Sequence, residues 1–288
     1  MVYLQDLING ILHGGIYALG ALSFALIWGV MNIINLAHGS FIMLGAYTTL
    51  ILFNYLHIDP FISIPVVFII FFIFGYFIQK GLLNHVLKAS MLMTLLITFG
   101  IDYVLTNGAR LIFTADTQGI TTSYSGYSFA LGDFIRLPLV KLSALLVAIL
   151  LAFLLNLFMN RTKLGHQITA TSQDHEAAQL YGVNLKTIYA IVFGIGIGLA
   201  GVAGAMYGTM FPFNPSIGAG FTIKTFIVIV LGGLGNMYGA LFGGLLLGIV
   251  EAIASHFNAG YADVVSFVIF VLVLILRPRG IAGKESVA

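Results

Sequence analysis

The stretch LINGILHGGIYALGALSFALIWGVM, residues 7–31, holds no Asp, Glu, Lys or Arg. About 20 apolar residues carry an α-helix across the hydrocarbon core of a bilayer, so this stretch reads as a membrane span. No basic residue precedes it and no small-residue cleavage site follows it. It is therefore read as a retained first span and not as a signal peptide. Runs of the same kind recur at 39–57, 60–79, 89–113, 138–159, 187–211, 218–234, 236–255 and 262–276. The chain is 60% hydrophobic and 8% charged, against roughly 25% charged residues in a soluble domain. The expected architecture is all-α: a polytopic transmembrane helix bundle of eight or nine spans, forming one domain over residues 1–288. The second span follows a polar break, Asn32 to His38, and the seventh is short and contains Lys224. Each of those two reads either as a full crossing or as a half-helix that re-enters the membrane.

Lysine and arginine in the short loops set the orientation of such a bundle. Lys80 and Lys88 flank one loop, Arg161, Lys163 and Lys186 sit in another, and Arg277, Arg279 and Lys284 lie in the tail. Alternating the spans puts all three segments on one side, which the rule assigns to the cytoplasm. Asp6, Asp59, Asp116, Asp133 and Asp263 fall on the other side, with Arg110, Arg136 and Lys141 as exceptions there. Nine crossings put the N-terminus outside and the C-terminus in the cytoplasm. The net charge of +2 gives no nucleic-acid footprint, and a chain without cysteine has no disulfide or thiol chemistry. There is no G-x-x-x-x-G-K-[ST] phosphate loop, no H-E-x-x-H and no histidine pair spaced with a carboxylate to hold a metal. Neither a catalytic residue nor a cofactor or metal site is expected.

Ionisable groups inside spans are costly, so they face the bundle interior and pair. Asp102, Lys224 and Glu251 are the candidates, and all three fall in the outer half of the membrane at about 1.5 Å rise per residue. A buried structural pair of Lys224 with Glu251 is the preferred reading, with substrate binding the alternative. Glycine recurs every fourth residue at Gly235, Gly239 and Gly243, with Ala240, Gly244 and Gly248 beside them. Gly194 with Gly198 and Gly204 with Gly208 repeat the spacing. Such stripes let helices approach closely; packing is the preferred reading over a transport path. Ala37-His38-Gly39-Ser40 leading to Gly45 echoes Met237-Tyr238-Gly239-Ala240 leading to Gly244, which leaves open a two-fold internal repeat.

The longest polar stretch between spans is 161–186, RTKLGHQITATSQDHEAAQLYGVNLK. Within it Asp174, His175, Glu176, Ala177, Ala178, Gln179, Leu180 and Tyr181 combine helix formers with acidic residues at the front, and Gly182 supplies a stop. A short helix at the cytoplasmic membrane surface is expected, against the alternative of an ordinary ordered loop.

Glu176-Ala177-Ala178 followed by Gly182 resembles the EAA loop of ABC-importer permeases, although the Ile-x-Leu-Pro continuation is absent. Further pieces occur in order along the chain: Asn9-Gly10, Gly15-Ile16-Tyr17-Ala18-Leu19, and Asn32-Ile33-Ile34-Asn35-Leu36-Ala37-His38-Gly39. Thr162-Lys163-Leu164-Gly165, Gly232-Gly233-Leu234-Gly235-Asn236 and Arg277-Pro278-Arg279-Gly280 complete the set. Together, from residue 7 to residue 283, they resemble the branched-chain amino-acid permeases of ABC importers, and among these the H-type subunit. The resemblance implies a multi-pass protein of the bacterial inner membrane that works with a second, homologous permease subunit. It also implies two cytoplasmic ATP-binding subunits, a periplasmic or lipid-anchored amino-acid-binding protein, and a coupling role for Asp174 to Gly182. A urea or short-amide ABC permease is the nearest alternative. A passive channel, built on Phe213-Asn214-Pro215-Ser216 as an asparagine-proline turn, lacks the second such turn. A membrane-embedded enzyme lacks a metal motif or a clustered aspartate pair.

Overall fold

The computed structural model describes residues 2–86, 91–131, 135–258 and 260–276. Lys88, Asp133, Arg277, Arg279, Lys284 and the motif Arg277 to Gly280 lie outside the described residues. The elements in chain order are α1 Val2–Met31, α2 His38–Leu56, α3 Pro60–Gly81, α4 Met91–Phe113, β1 Ser128–Leu131 and β2 Ile135–Pro138. They continue with α5 Leu139–Arg161, α6 Lys163–Gln173, α7 His175–Leu180, α8 Leu185–Met210, α9 Ile217–Gly232, α10 Met237–Phe257 and α11 Tyr261–Leu276. Among the described residues seven helices are long and apolar enough to cross a membrane, namely α1 to α5, α8 and α10. The apolar helices α9 and α11 have 16 residues each, or roughly 24 Å at 1.5 Å per residue.

α1 is the axis of the bundle. A helix that is apolar all round is stable only when surrounded, and α1 is enclosed by α10, α8, α5 and α9. The second internal helix is α8, which packs against α1, α2 and α3. Close approach here depends on missing side chains. A Cβ at Gly204 would overlap the Ile42 carbonyl, one at Gly244 would meet Ala18, and Gly239 lies backbone to backbone against Gly232. The glycine stripes thus serve helix packing, as the preferred reading held. Gly235 alone departs from it: it lies in the turn before α10, at φ +76, against Gly29.

Contacts between loops divide the bundle into two faces. At the near face, where α1 begins, Gln5 bonds to the backbone of Arg136 and His256 Nδ1 lies 2.8 Å from Asp6. Gln118 pairs with Phe213 there, and the Tyr124 hydroxyl donates to Asp59 Oδ2 over 2.8 Å. Burial first, then this carboxylate, pushes the Tyr124 phenol well above its ordinary value. β1 and β2 form an antiparallel hairpin on the same face, with Phe129 opposite Leu137. At the far face, where α1 ends, Asn84 donates to the Lys186 carbonyl and Gly29 touches Gly235. Lys80, Arg161, Lys163 and Lys186 all lie toward the far face.

One stretch of backbone is not helical although it lies deep in the bundle. Residues 32–37 turn back along α1, and α2 begins at His38, whose Nε2 sits 3.1 Å from the Gly20 carbonyl and 3.0 Å from Ser23 Oγ. Gly20 precedes the end of α1 by 11 residues, about 16 Å at 1.5 Å per residue. Irregular backbone at membrane depth survives only where its polar groups find partners in the protein. Three side chains supply them. Asn35 Oδ1 accepts from Ala37 N, Thr98 Oγ1 of α4 accepts from Leu36 N, and Thr222 Oγ1 of α9 accepts from Gly39 N over 2.9 Å. α2 thus begins part-way along α1, and its 19 residues are long and apolar enough to cross a membrane.

Candidate functional site

Three helices bring charge together in the near-face half. Lys224 Nζ of α9 lies 3.0 Å from Glu251 Oε1 of α10 and 3.0 Å from Asp263 Oδ1 of α11. Tyr17 of α1 stands between the first two, donating to Glu251 Oε2 over 2.5 Å and accepting from Lys224 over 3.0 Å. Ser266, one helical turn after Asp263, donates to Glu251 Oε1 over 2.8 Å. The Glu251 side chain is only 5% exposed while that of Asp263 is 70% exposed. A buried carboxylate is tolerable when cation and hydroxyls satisfy both oxygens, and here they do. One ammonium facing two carboxylates leaves the cluster with one surplus negative charge, carried on its exposed side by Asp263.

The cluster forms one wall of a cavity of about 370 Å³ whose other walls include His13, Tyr207, Phe211 and Phe221. The His13 ring stacks on Tyr17 at 4.9 Å and packs against Phe211 at 5.0 Å. This is the size of cavity, mostly apolar with a few convergent polar groups, in which small ligands sit. Among the described residues no group of three or more His, Cys, Asp or Glu could hold a metal ion.

Of the three intramembrane charges expected, the structure brings Lys224 and Glu251 together and leaves Asp102 apart. Asp102 of α4 takes the hydroxyl of Ser40, which also lies 3.0 Å from Thr106. These contacts fasten α4 to the start of α2. In sequence Tyr17 entered only as part of the motif Gly15 to Leu19, Asp263 only as an outer-side charge at the start of the last span, and Ser266 not at all. The spacing of Asp263 and Ser266 on one helix face was the available signal.

The far face carries the second candidate. Asp174 caps α7, its Oδ1 accepting from Glu176 N and Ala177 N, both at 2.9 Å. Gly182 ends the turn at φ +84, and Val183 N donates to the Ala178 carbonyl over 3.1 Å. This left-handed closure suits glycine. His175, Glu176 and Gln179 are exposed, and Ala177 is half-buried. Ala178 is buried at 4%, turned in against the protein, so it offers no surface to a partner. Leu180 and Tyr181 instead stand 89% and 90% exposed. Ahead of α7 lies a helix unforeseen in sequence, α6, capped by Thr162 Oγ1 accepting from Gly165 N over 2.9 Å. Its Gly165 is pressed onto the last carbonyls of α5, where a Cβ would meet Met159, and Ile168 and Thr171 are buried beneath it.

The chain resembles known proteins over its length. Residues 7–274 match the family model described as "Branched-chain amino acid transport system / permease component". The high-affinity branched-chain amino acid transport system permease protein BraD of Pseudomonas aeruginosa is 34% identical, over 99% of this chain and 97% of its own length. The corresponding LivH protein of Escherichia coli K12 is 30% identical, over all of this chain and 97% of its own. The LivM permease protein of the same organism is a more distant relative, 23% identical over 92% of this chain and 67% of its own. No solved structure matches. A bundle of long apolar helices and a match that spans it from the first helix to the last lead to one conclusion: the chain is a multi-pass membrane protein belonging to the branched-chain amino acid transport system permease family.

Proposed function

We propose that this protein is the H-type permease subunit of an ATP-driven importer of branched-chain amino acids in the bacterial inner membrane. It works beside a second, homologous permease with two cytoplasmic ATP-binding subunits and an amino-acid-binding protein outside. The observation that carries this reading is α7. A six-residue helix capped at both ends, with Leu180 and Tyr181 almost wholly bare, has little reason to exist in a lone bundle. An apolar pair held on a rigid surface turn is suited to a groove in another protein. The chain has no phosphate loop, so energy has to enter through such a contact.

The basic residues of the far face make it the cytoplasmic side under the positive-inside rule, with the near face and the N-terminus outside. Loop 161–186, containing α6 and α7, then meets the ATPases. α9 and α11, counted with the seven longer helices, bring the crossings to nine within a single transmembrane domain. Lys224, Glu251 and Tyr17 act as a structural clamp across α1, α9 and α10. The chain itself catalyses no reaction and needs no cofactor.

The test is reconstitution of the permease pair, the ATPases and the binding protein in lipid vesicles. Leucine uptake that requires both ATP and the binding protein is expected. Uptake of urea or short amides in place of leucine would transfer the protein to the neighbouring importer class. Leucine flux without ATP would make it a channel.

A further inference from the structure

Two hollows meet toward the far face, and neither belongs to the ion cluster or to α7. The first is a pocket of about 210 Å³ between the end of α3 and the start of α8, with Tyr76, Lys80, Asn84, His85, Lys186 and Thr187 in its walls. Lys80, His85 and Lys186 are exposed, and among the described residues no carboxylate lies within 4.0 Å of any of them. The frame that holds the two lysines is braced. Gln79 Nε2 donates to Asn84 Oδ1 over 3.1 Å, and Asn84 Nδ2 donates to the Lys186 carbonyl over 3.2 Å. Lys80 Nζ stands 5.9 Å from the centre of the Tyr76 ring. The positive end of the α8 dipole adds to the lysines, so the pocket favours an anion.

The second hollow is a groove of about 640 Å³ between α3 and α5, floored by α8. Every side chain that lines it is apolar. Ile69 and Leu154 stand exposed at its edges, while Leu199 and Val202 are buried in its floor. The groove runs on from the basic pocket. Phe72 lines the groove and Tyr76, one turn later on α3, lines the pocket, their rings stacked at 6.4 Å. On α8, Ile191 lines the groove and Thr187, one turn earlier, lines the pocket. From Ile191 to Val202 the groove covers about 16 Å at 1.5 Å per residue, half of the roughly 30 Å hydrocarbon core. That length separates the two possible occupants. A partner's membrane helix would cross the whole core, and helix contacts in membranes are built on small or hydrogen-bonding residues, of which this lining holds none among the described residues. An acyl chain from one leaflet reaches about to the midplane and needs only apolar surface.

We infer that α3, α5 and α8 form a site for one anionic phospholipid, its phosphate between Lys80 and Lys186 and an acyl chain in the groove. Basic pockets between membrane helices on the cytoplasmic side suit such headgroups, and here pocket and groove are joined. The leaflet is the cytoplasmic one under the orientation proposed above. Leu164 lines the groove and Lys186 the pocket, so the lipid sits at the base of loop 161–186, which carries α7.

Native mass spectrometry of the full chain in mild detergent, titrated with phosphatidylglycerol and with phosphatidylcholine, tests the site. One retained phosphatidylglycerol is expected, favoured by about tenfold or more over phosphatidylcholine. Lys80→Gln with Lys186→Gln weakens its binding by about thirtyfold, the share of two lysines beside an anionic lipid, and Lys80→Arg with Lys186→Arg keeps it. Ile69→Trp with Leu154→Trp, both at exposed positions, fills the groove and weakens binding by about tenfold, as when two methylene groups lose their cover. Equal affinity for the two lipids, or unchanged phosphatidylglycerol binding in the glutamine pair, overturns the site. Displacement of the lipid by excess inorganic phosphate, with no effect of the tryptophan pair, makes the pocket a free-phosphate site and overturns the lipid. Should the tryptophan pair not fold, phosphatidylglycerol with a photoreactive group on its acyl chain decides. Labelling within 64–72 or 191–202 supports the groove, and labelling elsewhere alone overturns it. In the assembled importer, Leu154→Cys that crosslinks to the second permease would give the groove to a helix and overturn it as well. A reversed labelling of the two faces refutes the orientation while leaving binding in detergent intact, so the two failures are separate.

Discussion

At the scale of single residues, what matters is which polar groups lost water and what replaced it. Glu251 gave up nearly all its solvent and gained Lys224, Tyr17 and Ser266. Lys224→Met therefore leaves a buried carboxylate held only by hydroxyls. A loss of about 3–5 kcal/mol, as for other broken buried pairs, is expected as a lower melting midpoint and less folded protein after detergent extraction. The double replacement Lys224→Met with Glu251→Met should recover much of it. A double variant no more abundant than the worse single one would remove the clamp from the account. Gly204 is a residue of another kind, where volume decides. Gly204→Leu forces a side chain onto the Ile42 carbonyl, and because backbone cannot yield as a side chain can, folded protein should fall below detection by immunoblot. Normal abundance would mean that α2 and α8 can separate freely.

Among elements, the long apolar helices and the short α7 were legible, whereas α6 and the hairpin of β1 and β2 were not. The reading 60–79 became Pro60–Gly81 and 138–159 became Leu139–Arg161, because a long run of predominantly apolar residues in lipid satisfies its backbone groups as a helix. The surface helix α6 escaped notice since Lys163–Gln173 buries only Gly165, Ile168 and Thr171 and so shows no long apolar stripe. The hairpin of β1 and β2 escaped likewise, its strands having four residues each. Partners such as Tyr17 and Lys224, 207 residues apart, leave no trace in periodicity, which reports only local faces. For α7 the composition gave the helix and its stop, whereas which side faces outward needed coordinates. Leu180→Asp with Tyr181→Asp should therefore reduce ATPase co-purification at least tenfold while the bundle stays in the membrane, and Ala178→Ser should not. Undiminished co-purification in the double variant would dismiss α7 as the docking element. In the break before α2, Thr98→Val strips the partner from Leu36 N, and Asn35→Leu strips that of Ala37 N. Each should cost about 1–3 kcal/mol, read as a lower thermal midpoint of the purified protein.

For the whole molecule, the division into an acidic near face and a basic far face makes the orientation testable. Single cysteines at Ser123 and Ser172, both exposed and on opposite faces, should differ toward an impermeant thiol reagent applied from outside, with position 123 labelled and 172 protected. The reverse pattern would invert the protein and with it the place of α7. The faces are also tied together by an order of events. The non-helical residues 32–37 are made early, yet two of their hydrogen-bond partners, Thr98 on Leu36 N and Thr222 on the Leu36 carbonyl, are made later, the second when about three-quarters of the chain exists. Until then the break cannot be dehydrated without orphaned polar backbone. During biosynthesis the beginning of α2 therefore stays at the insertion machinery or in contact with water until α9 is made, so that α1 and α2 are inserted early but packed only after α9. Ribosome-stalled chains ending before Ile217 should leave Leu36 open to protease or solvent exchange, and release past Gly232 should close it.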